Sequence, residues 1–332
     1  MKLRSSVVMA ATFAAVLVCG APARAEDEKA SVALPILSVT FTPVYVAKDM
    51  GFWAKEGLDV SLHDISGLGS TNAMLAGSVD FAVQSGLSFI RGNMRGQKML
   101  GIELMANGVA FEITGRKALL GNITMATPVA ERAKWLKGKK VAVDAPNTIV
   151  HAFLRYIAKK GGVDAEKEIT VTPMQPENEL AAMKSGAIDA GTWTFPWTFA
   201  SQRQGDVLIA SGLSDVPELL PFGSTDTATR PDFCEKKPSV CMKLGRGYVA
   251  AHAFIQDHPA EALEIVRKRM PQIHPDDLKG AFDQMRKTTP RSPAFSEEGL
   301  AHAQELMLIG GMIKPDEKLS SFTALYTNKF IQ

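Results

Sequence analysis

The chain has 332 residues and a nearly balanced charge, with 37 lysines and arginines against 35 aspartates and glutamates. Hydrophobic residues make up 46% of it and no low-complexity tract interrupts it, which excludes a disordered or fibrous protein. The length exceeds that of one ordinary hydrophobic core and predicts two lobes.

Residues 1–25 have the form of a secretory signal peptide. Lys2 and Arg4 precede an uncharged apolar stretch at 7–18, and a small-residue cleavage motif ends at Ala25. Twelve apolar residues are too few for a membrane-spanning helix, which needs about 20. Cleavage predicts a periplasmic protein and leaves 34 basic residues against 35 acidic ones. This balance excludes nucleic acid or anionic lipid as an expected partner.

The first part of the remaining chain alternates between short apolar strands and helices. Strands are predicted at 36–40, 60–65, 80–83 and 99–105, and helices at 44–55, after the loop 67–71, and at 87–94. Strands separated by helices in this way indicate a parallel sheet.

The alternation restarts after residue 138. Strands are predicted at 140–143, 169–172, 188–192 and 207–210, and helices at 149–160, 177–184, 259–269, 275–287, 296–309 and 322–330. Two successive series of this kind predict an α/β protein of two lobes, with the chain crossing between them near 107–114 and 211–227. The predicted lobes are 26–110 with 225–332, and 111–224.

Four segments carry a family resemblance. GFWAKEGLDV at 51–60, AMLAGSVDFA at 73–82, LKGKKVAV at 136–143 and AMKSGAIDA at 182–190 resemble signature segments of periplasmic substrate-binding proteins of the nitrate/sulfonate/taurine and thiamine-precursor transport group. The resemblance implies a type II periplasmic binding protein. Such a protein has two lobes, each with a mainly parallel sheet flanked by helices, joined by two connecting strands. The resemblance also implies a monomer without a cofactor that delivers a small-molecule ligand to an ABC permease.

The candidate ligand-binding residues lie in loops at strand ends, where open α/β sheets bind ligands. The glycine and hydroxyls at 69–71 begin a helix and could bind an anion, although Ser70 or Thr71 could instead cap that helix. Trp193 could stack on a ligand or pack in the lobe core. The candidates are Thr42, Tyr45, Gly69, Ser70, Thr71, Gln84, Ser85, Asn147, Thr148, Trp193 and Trp197.

The predicted ligand is a small organic anion, either a sulfonate or a carboxylate. Many members of the resembled family have glutamate before the proline at 196, whereas this chain has Phe195. This departure removes a negative charge from the expected cleft. Two alternatives stay open: a thiamine-type pyrimidine precursor as ligand, and a sensor that passes its signal to another protein.

Signal cleavage leaves two cysteines, Cys234 and Cys241. An even number in an oxidising compartment favours a disulfide. The six histidines lack zinc-ligand spacing, and the sequence contains no Gly-x-Ser-x-Gly motif. We therefore predict neither a metal site nor an enzyme.

Overall fold

The computed structural model describes residues 27–331, which form two five-stranded sheets. The predicted signal peptide lies outside these residues. The first sheet has the order β2-β1-β3-β10-β4. Its strands are β1 (Glu28–Leu34), β2 (Leu58–Asp64), β3 (Phe81–Ser85), β4 (Leu100–Ala106) and β10 (Thr225–Thr229).

Nine helices surround the first sheet within the described chain. They are α1 (Thr42–Asp49), α2 (Phe52–Lys55), α3 (Leu68–Leu75), α4 (Gly86–Met94), α11 (Pro231–Lys236), α12 (Pro238–Asp257), α13 (Pro259–Arg269), α14 (Pro275–Thr288) and α15 (Glu297–Ile309). A 3-10 helix at Val39–Phe41 precedes α1.

The second sheet has the order β7-β6-β8-β5-β9. Its strands are β5 (Phe111–Gly115), β6 (Lys140–Val143), β7 (Thr170–Pro173), β8 (Ala190–Thr194) and β9 (Val207–Ser211). Its helices are α5 (Lys117–Leu120), α6 (Val129–Lys134), α7 (Ile149–Lys160), α8 (Ala165–Glu168), α9 (Pro176–Ser185) and α10 (Trp197–Arg203). Further 3-10 helices lie at Pro217–Leu219 and Pro315–Glu317.

Each sheet contains one antiparallel strand, and it is the strand that follows a crossing between the sheets. The chain leaves β4 and enters β5 through residues 107–110, and it leaves β9 and enters β10 through 212–224. β5 pairs antiparallel with β8 and β9, and β10 pairs antiparallel with β3 and β4. The carboxyl ends of the parallel strands therefore face the crossings, and β5 and β10 begin there. This architecture confirms the predicted two-lobed α/β fold, and we propose the predicted boundaries for the lobes.

Several predicted elements are wrong in detail. The first strand lies at 28–34 rather than 36–40. Pro35 follows its last residue, and a loop and the start of the 3-10 helix Val39–Phe41 replace the predicted strand. The predicted helix at 44–55 divides at Gly51, whose φ is +67°. Turns and an isolated bridge replace the predicted helix at 322–330.

The sequence patterns also missed α12. Gly245 and Gly247 lower the helix propensity of its centre, but both allow close packing. A Cβ at Gly245 would lie 2.0 Å from the carbonyl oxygen of Phe330, and one at Gly247 would lie 2.1 Å from Trp53 Cδ1. Tertiary contacts therefore override the local propensity.

Helix α15 connects the two lobes. It packs against α4 beside the first sheet and against α7 beside the second. Leu300, Leu306 and Met307 are fully buried in a core that includes residues of both lobes. An ion pair makes a second contact between the lobes. The Arg203 guanidinium of α10 donates to the Asp277 carboxylate of α14 at 2.8–3.1 Å.

The predicted disulfide between Cys234 and Cys241 is confirmed, with their Cα atoms 5.7 Å apart. It joins α11 to the first turn of α12, and both residues are buried. Within residues 27–331, no helix combines the length and apolar character needed to cross a membrane.

Candidate functional site

A cavity of about 290 Å³ lies between the sheets, at the carboxyl ends of their parallel strands. Both lobes and both crossings contribute to its wall. The lining residues are Pro35, Ile36, Ser38, Thr40, Phe41, Gly67, Leu68, Ser70, Thr71, Gln84, Ser85, Ser88, Ala110, Phe111, Ile149, Thr194, Ser224 and Thr225. One cavity is thus shared by residues from distant parts of the chain.

Four of the predicted residues line this cavity together. The Thr71 hydroxyl donates to Gln84 Oε1 at 3.0 Å. The Ser70 hydroxyl donates to the carbonyl oxygen of Gly67 at 3.0 Å. The Ser85 hydroxyl accepts from the backbone N–H of Ser88 at 3.2 Å and so caps α4. The polar half of the wall is held in place by these bonds.

The amino end of α3 reaches this polar half. In the part of the chain that the structure describes, no side chain caps this end, and the residue before the helix is Gly67. The predicted alternative, a cap by Ser70 or Thr71, does not occur because both hydroxyls bond elsewhere. An uncapped helix start carries partial positive charge, which suits an anion.

Three predicted residues of the first lobe lie outside the cavity wall. Thr42 is fully buried and donates to the carbonyl oxygen of Val39 at 2.6 Å. Tyr45 is also buried, its hydroxyl accepts from the Ser38 N–H at 3.4 Å, and burial raises its pKa to about 12. Gly69 lies in the first turn of α3 and faces Ile65.

Two predicted tryptophans pack inside the second lobe. Trp193 is 2% exposed, and its Nε1–H donates to the Thr114 hydroxyl at 2.6 Å. Trp193 belongs to a small core with Met183 and Ile188, and Trp197 packs against that core. Neither ring lines the cavity, so the structure places them as the packing interpretation predicted.

Asn147 and Thr148 precede α7 and also lie outside the cavity wall. The Thr148 hydroxyl caps α7 by accepting from the His151 N–H at 3.2 Å, and it donates to Asp144 Oδ1 at 2.6 Å. Asn147 has a φ of +58°, the one positive φ of a non-glycine residue within 27–331. The Asn147 carbonyl oxygen faces the opposite lobe, 3.5 Å from Arg91 Nη1.

The sequence patterns missed the apolar half of the wall. Ile36 was predicted in a buried strand, yet it is 58% exposed, and Leu68 is 63% exposed. Ser224 and Thr225 belong to a crossing and a strand that carried no recognisable ligand motif. Thr194, the last residue of β8, also lines the wall and was not among the predicted candidates. The apolar residues of the wall are Pro35, Ile36, Phe41, Leu68, Ala110, Phe111 and Ile149.

No lining residue within 27–331 carries a charge. Among residues 27–331, five carboxyls outside the wall have raised pKa values, and Glu179 and Asp226 are two of them. Burial, with the negative charge of Asp144, raises the pKa of Glu179 to about 8. Burial raises the pKa of Asp226 well above its ordinary value. With a pKa of about 8, Glu179 is mostly uncharged at neutral pH.

Comparison with known proteins shows one family match and several distant relatives. Residues 38–262 match the family described as NMT1/THI5 like. The putative binding protein YtlA of Bacillus subtilis is 22% identical, over 80% of this chain and 78% of YtlA. The nitrate/nitrite binding protein NrtA of Synechocystis is 25% identical, over 68% of this chain. The match spans 54% of NrtA, so the chain covers about half of that relative's length.

Solved structures share the fold at low identity. The periplasmic aliphatic sulphonate binding protein SsuA of Escherichia coli superposes with a TM-score of 0.68 at 17% identity, covering 86% of each chain. The desulfurization enzyme DSZB superposes with a TM-score of 0.65 at 13% identity, covering 92% of this chain and 97% of DSZB. The fold is thus found in binding proteins and in an enzyme.

Proposed function

The chain belongs to the NMT1/THI5-like family, and from that membership we propose that it is an extracytoplasmic solute-binding protein. It captures a small organic anion, a sulfonate or a carboxylate, in the cleft between its lobes. It then delivers this ligand to an ABC permease. The protein is a monomer that reaches the periplasm through its cleaved signal peptide and binds no nucleic acid.

One observation carries this proposal: a single cavity is lined by both lobes and both crossings. A cavity built in this way changes whenever the lobes move relative to each other. Gln84 belongs to the first lobe, and Phe111 and Thr194 belong to the second. The contacts available to a ligand therefore depend on the relative position of the two lobes.

The chemistry of the wall supports an organic anion. The uncapped start of α3 suits anionic oxygens. The apolar half suits the carbon part of a ligand, since pockets bind mainly by burying apolar surface. NrtA is named for nitrate and nitrite, which further supports a negative charge.

Ligand capture is proposed to favour a closed arrangement of the lobes. A ligand shifts such an equilibrium only through contacts that differ between the two states. Contacts with Phe111, Ile149 and Thr194 depend on the position of the second lobe. A micromolar ligand supplies about 8 kcal/mol in total, which is ample to favour closure.

A thermal-shift screen tests the proposal. The panel contains alkane- and arylsulfonates, carboxylates, nitrate and pyrimidines. At a hundred times its dissociation constant, a true ligand adds about 2.7 kcal/mol to the unfolding free energy. X-ray scattering with and without the best ligand then tests closure. A screen in which no anion raises the Tm would overturn the proposed ligand class.

A pyrimidine precursor is the second candidate ligand. The wall has no charged side chain within 27–331, and it includes Gln84, whose amide oxygen accepts from Thr71 and has a second lone pair. These features suit a neutral heteroaromatic ring. In the same screen, a shift by pyrimidines alone would favour this alternative.

We propose that the protein catalyses no reaction. The relatives YtlA and NrtA are named as binding proteins, although DSZB has the same fold and is named an enzyme. The test is mass spectrometry of the bound ligand after prolonged incubation with purified protein. Recovery of a chemically altered ligand would refute the proposal.

A further inference from the structure

A second, smaller cavity of about 100 Å³ adjoins the cleft cavity beside α3 and α4. Leu68, Thr71 and Ser88 line both cavities. Unlike the uncharged main wall, the small cavity is polar and cationic. Its remaining residues are Asn72, Arg91, Gly92, Arg95 and Gln97.

Arg91 is the half-buried cation of this small cavity. It forms no ion pair with a carboxylate among residues 27–331. Its neighbour one helical turn on, Arg95, is likewise without a carboxylate partner in that part of the chain. Burial and the charge of Arg95 lower the pKa of Arg91. A half-buried guanidinium without a counter-ion is unfavourable for the folded protein, which suggests a role outside stability.

The Arg91 side chain also reaches across the cleft. Arg91 belongs to α4 of the first lobe, and its Nη1 lies 3.5 Å from the carbonyl oxygen of Asn147 in the second lobe. This long contact leaves other guanidinium N–H groups available, since arginine carries five. Arg91 therefore stands between the two lobes beside the main cavity.

We propose that Arg91 recognises the anionic group of the ligand, which it binds in the small cavity while the carbon part of the ligand occupies the main cavity. This inference rests on the proposed capture of an organic anion. A planar guanidinium matches a carboxylate or sulfonate through two parallel hydrogen bonds, which lysine cannot reproduce. The same side chain contacts Asn147 of the second lobe, so Arg91 borders the cleft on the side where the anion would bind.

The test compares the wild type with R91Q and R91K by isothermal titration calorimetry. The probes are hexane-1-sulfonate, benzenesulfonate, benzoate and the uncharged benzamide. Loss of a charge-assisted hydrogen bond predicts about 10- to 100-fold weaker anion binding for R91Q. R91K retains the charge and is expected to lose less anion affinity than R91Q. Binding of benzamide is expected to be equally weak in all three proteins.

Lys98→Gln is the matched control. Lys98 is exposed, lies near Arg91 in the sequence, and lines neither cavity. Its removal changes the net charge equally and is expected to alter anion affinity less than twofold. Equal losses of anion affinity in K98Q and R91Q would show that binding responds only to the net charge of the protein, and would overturn the assignment of Arg91.

Melting of the ligand-free proteins separates binding from structure. If Arg91 recognises the ligand, R91Q keeps or raises the wild-type Tm, because it removes an unpaired half-buried charge. A lower Tm for R91Q with unchanged anion affinity would make Arg91 a structural residue. If the wild type binds none of the three anions, the proposed function fails as well. If it binds them and R91Q binds them equally, only the role of Arg91 fails.

Discussion

Gln84 and Asp226 face each other across β3 and β10, and Gln84 Nε2 donates to Asp226 Oδ1 at 3.3 Å. The other end of the Gln84 amide accepts from the Thr71 hydroxyl. The Asp226 carboxyl thus orients a side chain of the cavity wall from behind. Asp226 Oδ2 has no hydrogen-bond partner among residues 27–331, which agrees with its raised pKa.

Gln84→Leu is expected to destabilise the protein and weaken ligand binding. The substitution leaves the Asp226 carboxyl and the Thr71 hydroxyl without this partner, which costs about 1–3 kcal/mol of unfolding free energy. Urea denaturation measures that loss, and calorimetry with the best ligand of the screen measures affinity. Gln202→Leu changes an exposed amide and should change neither quantity by much. Equal effects of both substitutions would contradict the role given to Gln84.

Glu179→Gln is expected to reduce the loss of stability at alkaline pH. Burial raises the pKa of Glu179 from 4.5 to about 8. The stability from this raised pKa is complete below pH 4.5 and is lost as pH rises through about 8. The wild-type Tm should therefore fall between pH 5 and pH 9, and the Tm of E179Q should fall less. Glu177→Gln, an exposed change in the same helix turn, should follow the wild type. A wild-type curve parallel to that of E179Q would refute the prediction.

Trp193→Phe is expected to lower stability without changing ligand affinity. The phenylalanine ring loses the hydrogen bond to Thr114 and part of the buried indole surface, which together amount to about 1–3 kcal/mol. Affinity should stay within twofold because Trp193 does not line the cavity. Thermal melts and calorimetry on one preparation give both values. A tenfold loss of affinity at unchanged stability would restore the stacking interpretation.

Leu68→Ser is expected to weaken ligand binding at nearly unchanged stability. Leu68 is 63% exposed and lines the cavity, so its substitution changes little of the buried core. Partial burial of a leucine is worth about 1 kcal/mol, or about fivefold in affinity. Leu119→Ser is the control, because Leu119 is exposed to 40% and lies outside this wall. Unchanged affinity in L68S would show that the ligand does not reach this part of the rim.

Removal of the disulfide by a double Cys234→Ala, Cys241→Ala change is expected to lower stability alone. The bond closes a short loop, with a sequence separation of 7, and contributes about 2–3 kcal/mol through the unfolded chain. The double variant should match the wild type in reducing buffer and should keep its ligand affinity, since neither residue lines the cavity. Identical wild-type melts with and without reductant would contradict this estimate.

Local sequence patterns predicted the elements whose signals lie within a few residues. The strand at 140–143 and the helix at 149–160 match β6 and α7 at both ends. The chain crosses between the sheets inside both predicted segments. Apolar runs and helix caps such as Thr148 depend on near neighbours, so they can be recognised in an isolated sequence.

The candidate site was predicted only in part. Ser70 and Thr71 follow β2, and Gln84 and Ser85 end β3. They line the cavity because the carboxyl ends of parallel strands meet at one edge, which strand–helix alternation implies. The direction of Trp193 depends instead on Thr114, which is 79 positions away in the sequence. A pattern of a few neighbouring residues cannot reveal a contact across that sequence separation.

The sequence by itself determined the two lobes, their alternating elements, the cysteine pair and the hydroxyl-rich strand ends, because each is encoded by residues close together in the chain. Only the tertiary structure decided the apolar half of the cavity, the glycine-tolerant helix α12 and the position of Arg91 opposite Asn147. These depend on contacts between segments that are distant in the sequence, whose free energy exceeds local preference and exists only once the chain has folded.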